Sequence, residues 1–150
     1  LAAPSGSLTA DIRGIWCLLT REDGSKEWQK RIDPTLGADP FGILSYSGTY
    51  WAAQFMKRDR AEDAGEQLFY SGQNNTSAVG GYDAYFGTYE VDEQTGKVAH
   101  TLVGSITPSN IGITVSRDMR AEGDKLVIQL ETTRPDGEPI TRTLTWKRLS

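Results

Sequence analysis

The chain has a single cysteine, Cys17, and a single histidine, His100, in 150 residues. One thiol excludes an intrachain disulfide, and one thiol with one imidazole makes no nitrogen–sulfur ligand set for zinc. Cys17 lies beside Trp16 in an apolar run, where a small buried filler is its ordinary role. No apolar run reaches the roughly 18 residues of a membrane helix, so no membrane span is expected. Basic residues are neither abundant nor clustered: 16 Lys and Arg stand against 20 Asp and Glu, a net charge of -4. Nucleic-acid binding depends on grouped cations that neutralise phosphates, so that class is excluded. The chain also lacks a Ser/His/Asp order, a phosphate-cradling loop and a dinucleotide fingerprint. No cofactor and no metal is expected. The acids Asp59, Glu62, Asp63 and Glu66 stand near helical spacing without the glycine-turned loop that calcium needs, and read as a solvated face.

What the chain does have is strand signal. Runs 84–92, 97–106, 111–120, 125–133 and 140–148 are separated by turn residues such as Gln94-Thr95-Gly96 and Glu122-Gly123-Asp124. Leu126, Ile128 and Leu130 share one face, as do Ile140, Arg142, Leu144, Trp146 and Arg148. Earlier runs at 16–20, 27–32, 42–46 and 49–56 look like further strands. The Pro- and Gly-bearing stretch 33–41 looks like a rim loop. Residues 8–13 suit one helical turn capped by Thr9 or Asp11, and 57–81 suit a loop or short-helix insert. Strict alternation in strands joined by short turns predicts an up-and-down meander. The expectation is an all-β, single antiparallel barrel of about eight to nine strands. Its division is a tail and helical turn at 1–13 and a barrel domain at 14–150. The small residues 1–7 fit a trimmed end, a cloning remnant or a signal-cleavage remnant. The expected localisation is therefore soluble, either cytoplasmic or periplasmic/secreted.

Gly14-Ile15-Trp16 opens the first strand and Trp146-Lys147-Arg148 closes the last. In a closed barrel these strands are neighbours, and Arg148 can cover Trp16 as a barrel plug through a cation–π contact. Between them lie Asp39-Pro40-Phe41-Gly42-Ile43-Leu44-Ser45-Tyr46, then Gly81-Tyr82-Asp83-Ala84-Tyr85-Phe86-Gly87-Thr88-Tyr89-Glu90-Val91-Asp92. Gly96-Lys97-Val98-Ala99-His100 follows, with Gly104-Ser105 and Pro108. Together these stretches resemble the bacterial and fungal lipocalin-like domain family, of calycin type. The resemblance implies a barrel with a pocket for a small, mostly apolar molecule. Some similar proteins appear with natural-product or small-molecule metabolism. The insert at 57–79 departs most from the family's pattern.

Polar side chains that alternation aims inward are the candidates for chemistry. His100 shares a face with Val98, Leu102 and Ile106, and its ordinary pKa suits proton transfer. Arg117 alternates with Ile113, Val115 and Met119, and offers a planar fork to an anionic oxygen. The plainer roles are a hydrogen-bonded structural histidine and an arginine paired with Glu90, Asp118 or another rim acid. Tyr46, Trp51, Tyr85 and Tyr89 suit a wall that holds an apolar body and fixes one oxygen. The expected ligand set is therefore Tyr46, Trp51, Tyr85, Tyr89, His100 and Arg117. Three functions compete: binding of a small apolar or amphipathic molecule, an interaction module with a filled interior, and a cofactor-independent isomerase, cyclase or dehydratase. In the last, His100, Tyr89 and Arg117 are the catalytic set.

Overall fold

The computed structural model describes residues 7–60, 69–70 and 74–150. In chain order the elements are helix α1 (Leu8–Ile12) and strands β1 (Gly14–Gly24), β2 (Lys30–Arg31), β3 (Phe41–Ser47) and β4 (Tyr50–Met56). Then come β5 (Phe69–Tyr70), β6 (Ala78–Val79), β7 (Tyr82–Asp92) and β8 (Lys97–Ser105). After a 3-10 turn at Pro108–Asn110 follow β9 (Thr114–Glu122), β10 (Lys125–Thr133) and β11 (Pro139–Arg148). Strands β1, β3, β4, β7, β8, β9, β10 and β11 pair antiparallel in that order, and β11 returns to β1. The ring is closed, which removes the exposed edges an open sheet would carry.

One end is stoppered. Trp16 is fully buried, its register partner is Arg148, and that guanidinium lies 4.2 Å over the indole. The indole Nε1 donates to Ile12 O at 2.9 Å, while Arg148 donates to Arg13 O at 2.6 Å and Asp11 O at 2.5 Å. These bonds tie the first and last strands to α1. The helix is capped by Ser7, whose Oγ accepts from Ala10 N, rather than by Thr9 or Asp11. Glu93, from the turn after β7, accepts from Leu8 N and Thr9 N at 2.8 and 2.9 Å. Those are amides that a short helix cannot satisfy alone.

Inside, Val98, Leu102, Leu126 and Trp146 are almost wholly buried. Burying each such side chain contributes roughly 1.5–3 kcal/mol. Alternation holds in β9, β10 and β11, where buried residues recur at every second position. It breaks in β1. The pairing with β11 slips between Leu18 and Thr20, so Leu19 is an extra residue and Arg21 and Asp23 turn inward. A second irregularity lies at Phe86/Gly87, where a Cβ on Gly87 would stand 1.8 Å from Thr101 O. Only glycine permits that approach.

Several sequence expectations are corrected. Residues 27–32 form only the two-residue β2, because Trp28 sits in a turn at φ 62° and is exposed. The stretch 33–41 is not merely rim: Asp33, Thr35 and Leu36 fold inward and are buried. Cys17 is half-buried on the outer face, since its neighbour Trp16 takes the inner one. Ile106 lies past the end of β8 and is partly exposed, so it does not share the buried face of His100. In the insert, the described residues include the two-residue strands β5 and β6. Positions 61–68 and 71–73, with Glu62, Asp63 and Glu66, lie outside the described residues. Asp59 is exposed, 3.9 Å from Lys57 Nζ. Among the described residues no helix is long and apolar enough to cross a membrane.

Candidate functional site

The barrel interior holds a cavity of about 60 Å³ whose lining does not include Trp16. Its apolar wall includes Leu44, Trp51, Phe55, Ile128 and Trp146. Its polar wall includes Tyr46, Tyr85, His100 and Arg117, and adds Arg21, Asp83 and Arg142. Five of the residues expected from the sequence thus meet at one cavity. Tyr89 does not line it. Its ring packs edge-on against Tyr46 at 4.8 Å and its hydroxyl donates to Gly48 O at 2.8 Å, so it supports the wall from behind.

His100 is almost wholly buried, with Nε2 2.7 Å from the Tyr46 hydroxyl and Trp51's ring 4.6 Å away. Burial first, and the Arg117 charge second, push the imidazole down to about 3. It is therefore neutral at ordinary pH, and the hydroxyl of Tyr46 is held protonated by its own burial. Nδ1 of His100 and Nε1 of Trp146 have no hydrogen-bond partner among the described residues.

Three arginines point into the barrel, and two are matched by acids. Arg142 grips Asp23 at 2.7 and 3.0 Å and reaches Asp33 at 3.4 Å, while Arg21 meets Asp33 at 2.8 Å. Burial alone would raise the Asp33 carboxyl, but Arg21, Arg142 and the Thr35 hydrogen bonds outweigh it and hold it at about 2. Arg117 differs. Its fork donates to Asn74 Oδ1 at 2.9 Å, Asn74 O at 2.6 Å and Ser116 O at 3.2 Å, and it makes no ion pair among the described residues. Asp118 points outward to Lys97 at 2.7 Å, and is not its partner. Burial lowers the Arg117 pKa, an effect partly offset by Tyr85 and Tyr46.

Asn74 and Asn75 adopt left-handed backbone at φ 55° and 58°, a conformation asparagine tolerates better than most residues. The resulting turn caps the cavity. Asn74 Nδ2 donates to Glu131 O at 2.7 Å, and Asn110 Nδ2 donates to Asn75 Oδ1 at 3.2 Å.

Asp83 was not singled out from the sequence, although it shares an inward face of β7 with Tyr85 and Tyr89. It is 5% exposed and makes no ion pair among the described residues. Burial drives its carboxyl up to about 7, against a partial pull from Arg21. Burial, and then Asp83 beside it, hold the Tyr85 hydroxyl well into its protonated form. Chemically, the cavity offers an apolar wall, the hydrogen-bonding groups of Tyr85 and Arg117, and one carboxyl held near 7 by burial. Among the described residues no group of His, Cys, Asp and Glu is spaced to hold a metal.

Comparison with known families adds one finding: a family model described as a lipocalin-like domain matches residues 13–149. Among curated proteins none matches the chain.

Proposed function

Because the chain belongs to the lipocalin-like domain family, whose barrel fits small-molecule binding in general, we propose that the cavity takes one small amphipathic molecule. Its apolar body lies against Trp51, Phe55 and Trp146, and an electron-rich oxygen faces Arg117 and Tyr85. The observation that carries this reading is Arg117, a buried guanidinium at the cavity wall without an acidic partner among the described residues. An uncompensated buried charge costs several kcal/mol, and a ligand anion would remove much of that cost. Polar side chains gathered inside the barrel also favour this reading over an interaction module with a filled interior. A cavity of about 60 Å³ has room for a few waters. A ligand of more than a few heavy atoms therefore requires part of the wall to move.

The test is a pair of titrations, benzoate against benzyl alcohol, followed by tryptophan fluorescence. Benzoate binds the wild-type protein at least ~10-fold more tightly than the alcohol, the margin of a charge-assisted hydrogen bond. Arg117→Met removes that margin and leaves the affinity for the alcohol unchanged. Equal affinities, insensitive to Arg117→Met, would refute the reading.

A further inference from the structure

We propose that Asp83 is a proton-transferring carboxylate, and that the cavity isomerises small β,γ-unsaturated carbonyl compounds with Tyr85 and Arg117 holding the carbonyl oxygen. This rests on the binding reading above, since it uses the same cavity and the same oxygen-binding pair.

Asp23 and Asp33 are fixed as charged partners of Arg142 and Arg21. Asp83 has no such partner among the described residues, yet it is buried and lines the cavity. Its cross-strand partner is Phe55, so the carboxyl is set beside an apolar wall. Tyr85 is the next inward residue on β7 and lies tilted against Trp51 and Phe55, with ring centres 5.7 and 6.4 Å apart. Arg117, from β9, lines the same cavity, and its guanidinium has five N–H donors, of which Asn74 and Ser116 take three. A carboxyl near 7 holds both protonation states at neutral pH, as a group that must take and return a proton requires. His100 does not fill this role: it is neutral, and its Nε2 is engaged by Tyr46.

The step balances without a co-reactant. Asp83 carboxylate takes a proton from the carbon between the carbonyl and the double bond. The C–H electron pair becomes a new C=C bond, and the carbonyl π pair moves onto oxygen, where Tyr85 O–H and the Arg117 guanidinium stabilise the enolate. Asp83, now a carboxylic acid, gives the same proton to the far carbon of the dienolate. The double bond moves into conjugation, the carbonyl is restored, and Asp83 is a carboxylate again.

The probe is 3-cyclopentenone, a small ring that carries this chemistry. Binding is read by tryptophan fluorescence and conversion to 2-cyclopentenone by ultraviolet absorbance. The expected result is turnover above the buffer rate, rising through a pH near 7 and level above it. Asp83→Asn keeps the affinity and loses ~100-fold or more in rate, and Tyr85→Phe loses less. Binding of the ketone without turnover overturns the proposal and leaves the binding reading intact. So does turnover that Asp83→Asn does not slow, or a wild-type rate without the inflection. Benzoate binding without ketone binding likewise sinks this proposal alone, whereas failure of both ligands sinks the binding reading with it.

Discussion

Arg142, from the last strand, holds Asp23, from the first, with Nε and Nη2 on the two carboxylate oxygens at 2.7 and 3.0 Å. Both side chains are buried, so the pair joins the two strands whose meeting closes the barrel. Removing one partner strands the other as an uncompensated charge. Asp23→Ala should therefore cost about 3–5 kcal/mol in urea unfolding. The solvent-facing pair Arg31–Glu138, also bidentate, serves as the contrast, and Glu138→Ala should shift the urea midpoint far less than Asp23→Ala. Equal losses at the two sites would contradict the burial argument.

Two cavity residues set opposite responses to acid. His100 falls from an ordinary 6.5 to about 3 on folding, so between those values the unfolded chain binds a proton that the native state refuses. Stability from this group falls as the pH falls through that window. Asp83 rises from 3.8 to about 7, so the native state binds a proton that the unfolded chain releases, and stability rises as the pH falls from about 7 to 3.8. Each contributes a slope of up to about 1.4 kcal/mol per pH unit, with opposite sign. The wild-type protein should thus show little dependence between 3.8 and 6.5 from these two groups. His100→Gln should become more stable on acidification from neutral pH, and Asp83→Asn less stable. Denaturant melts at closely spaced pH values read both slopes, and slopes of the same sign in the two variants would disprove the assignment. Below 3.8, protonation of Asp33 removes stability as the pH falls toward about 2.

The stopper is testable apart from the cavity. Arg148 places a cation over Trp16 and donates to two backbone carbonyls near α1. Arg148→Met should lose roughly 2–4 kcal/mol, the sum of a cation–π contact and charge-assisted hydrogen bonds. Arg148→Lys recovers only part, because an ammonium lacks the planar fork. The measurement is again the urea midpoint, and a shift no larger than that of a surface substitution would show that the plug carries no stability.

Much of this fold was legible because closure leaves its signature in single residues. Trp16 and Arg148 mark the ends, and the alternation of Leu126, Ile128 and Leu130 survives intact in the folded strand. His100 and Arg117 could be placed inside by the same parity, while Tyr46, Trp51 and Tyr85 were expected at the wall as aromatic rings; all five line the cavity. Arg21 and Asp23 could not. One extra residue at Leu19 inverts the parity of β1 beyond it, and a bulge of that kind has no composition signal. Asp33 and Leu36 were hidden for another reason: they come from a turn-rich loop that folds inward, and turn chemistry does not say which way a loop packs. Asp83 was readable on the inward face of β7. An acid between a tyrosine and an alanine nonetheless looks like an ordinary solvated position until burial is known.

The central claim is that the barrel holds a small acid or oxyanion against Arg117. Native mass spectrometry of the protein purified from the organism that makes it tests this most directly, with Arg117→Met expressed in the same cells. The account predicts a single retained small molecule bearing an acidic or enolic oxygen on the wild-type protein, absent from the variant. A retained molecule of equal occupancy on both proteins, or a bare wild-type chain that also ignores benzoate, would contradict it.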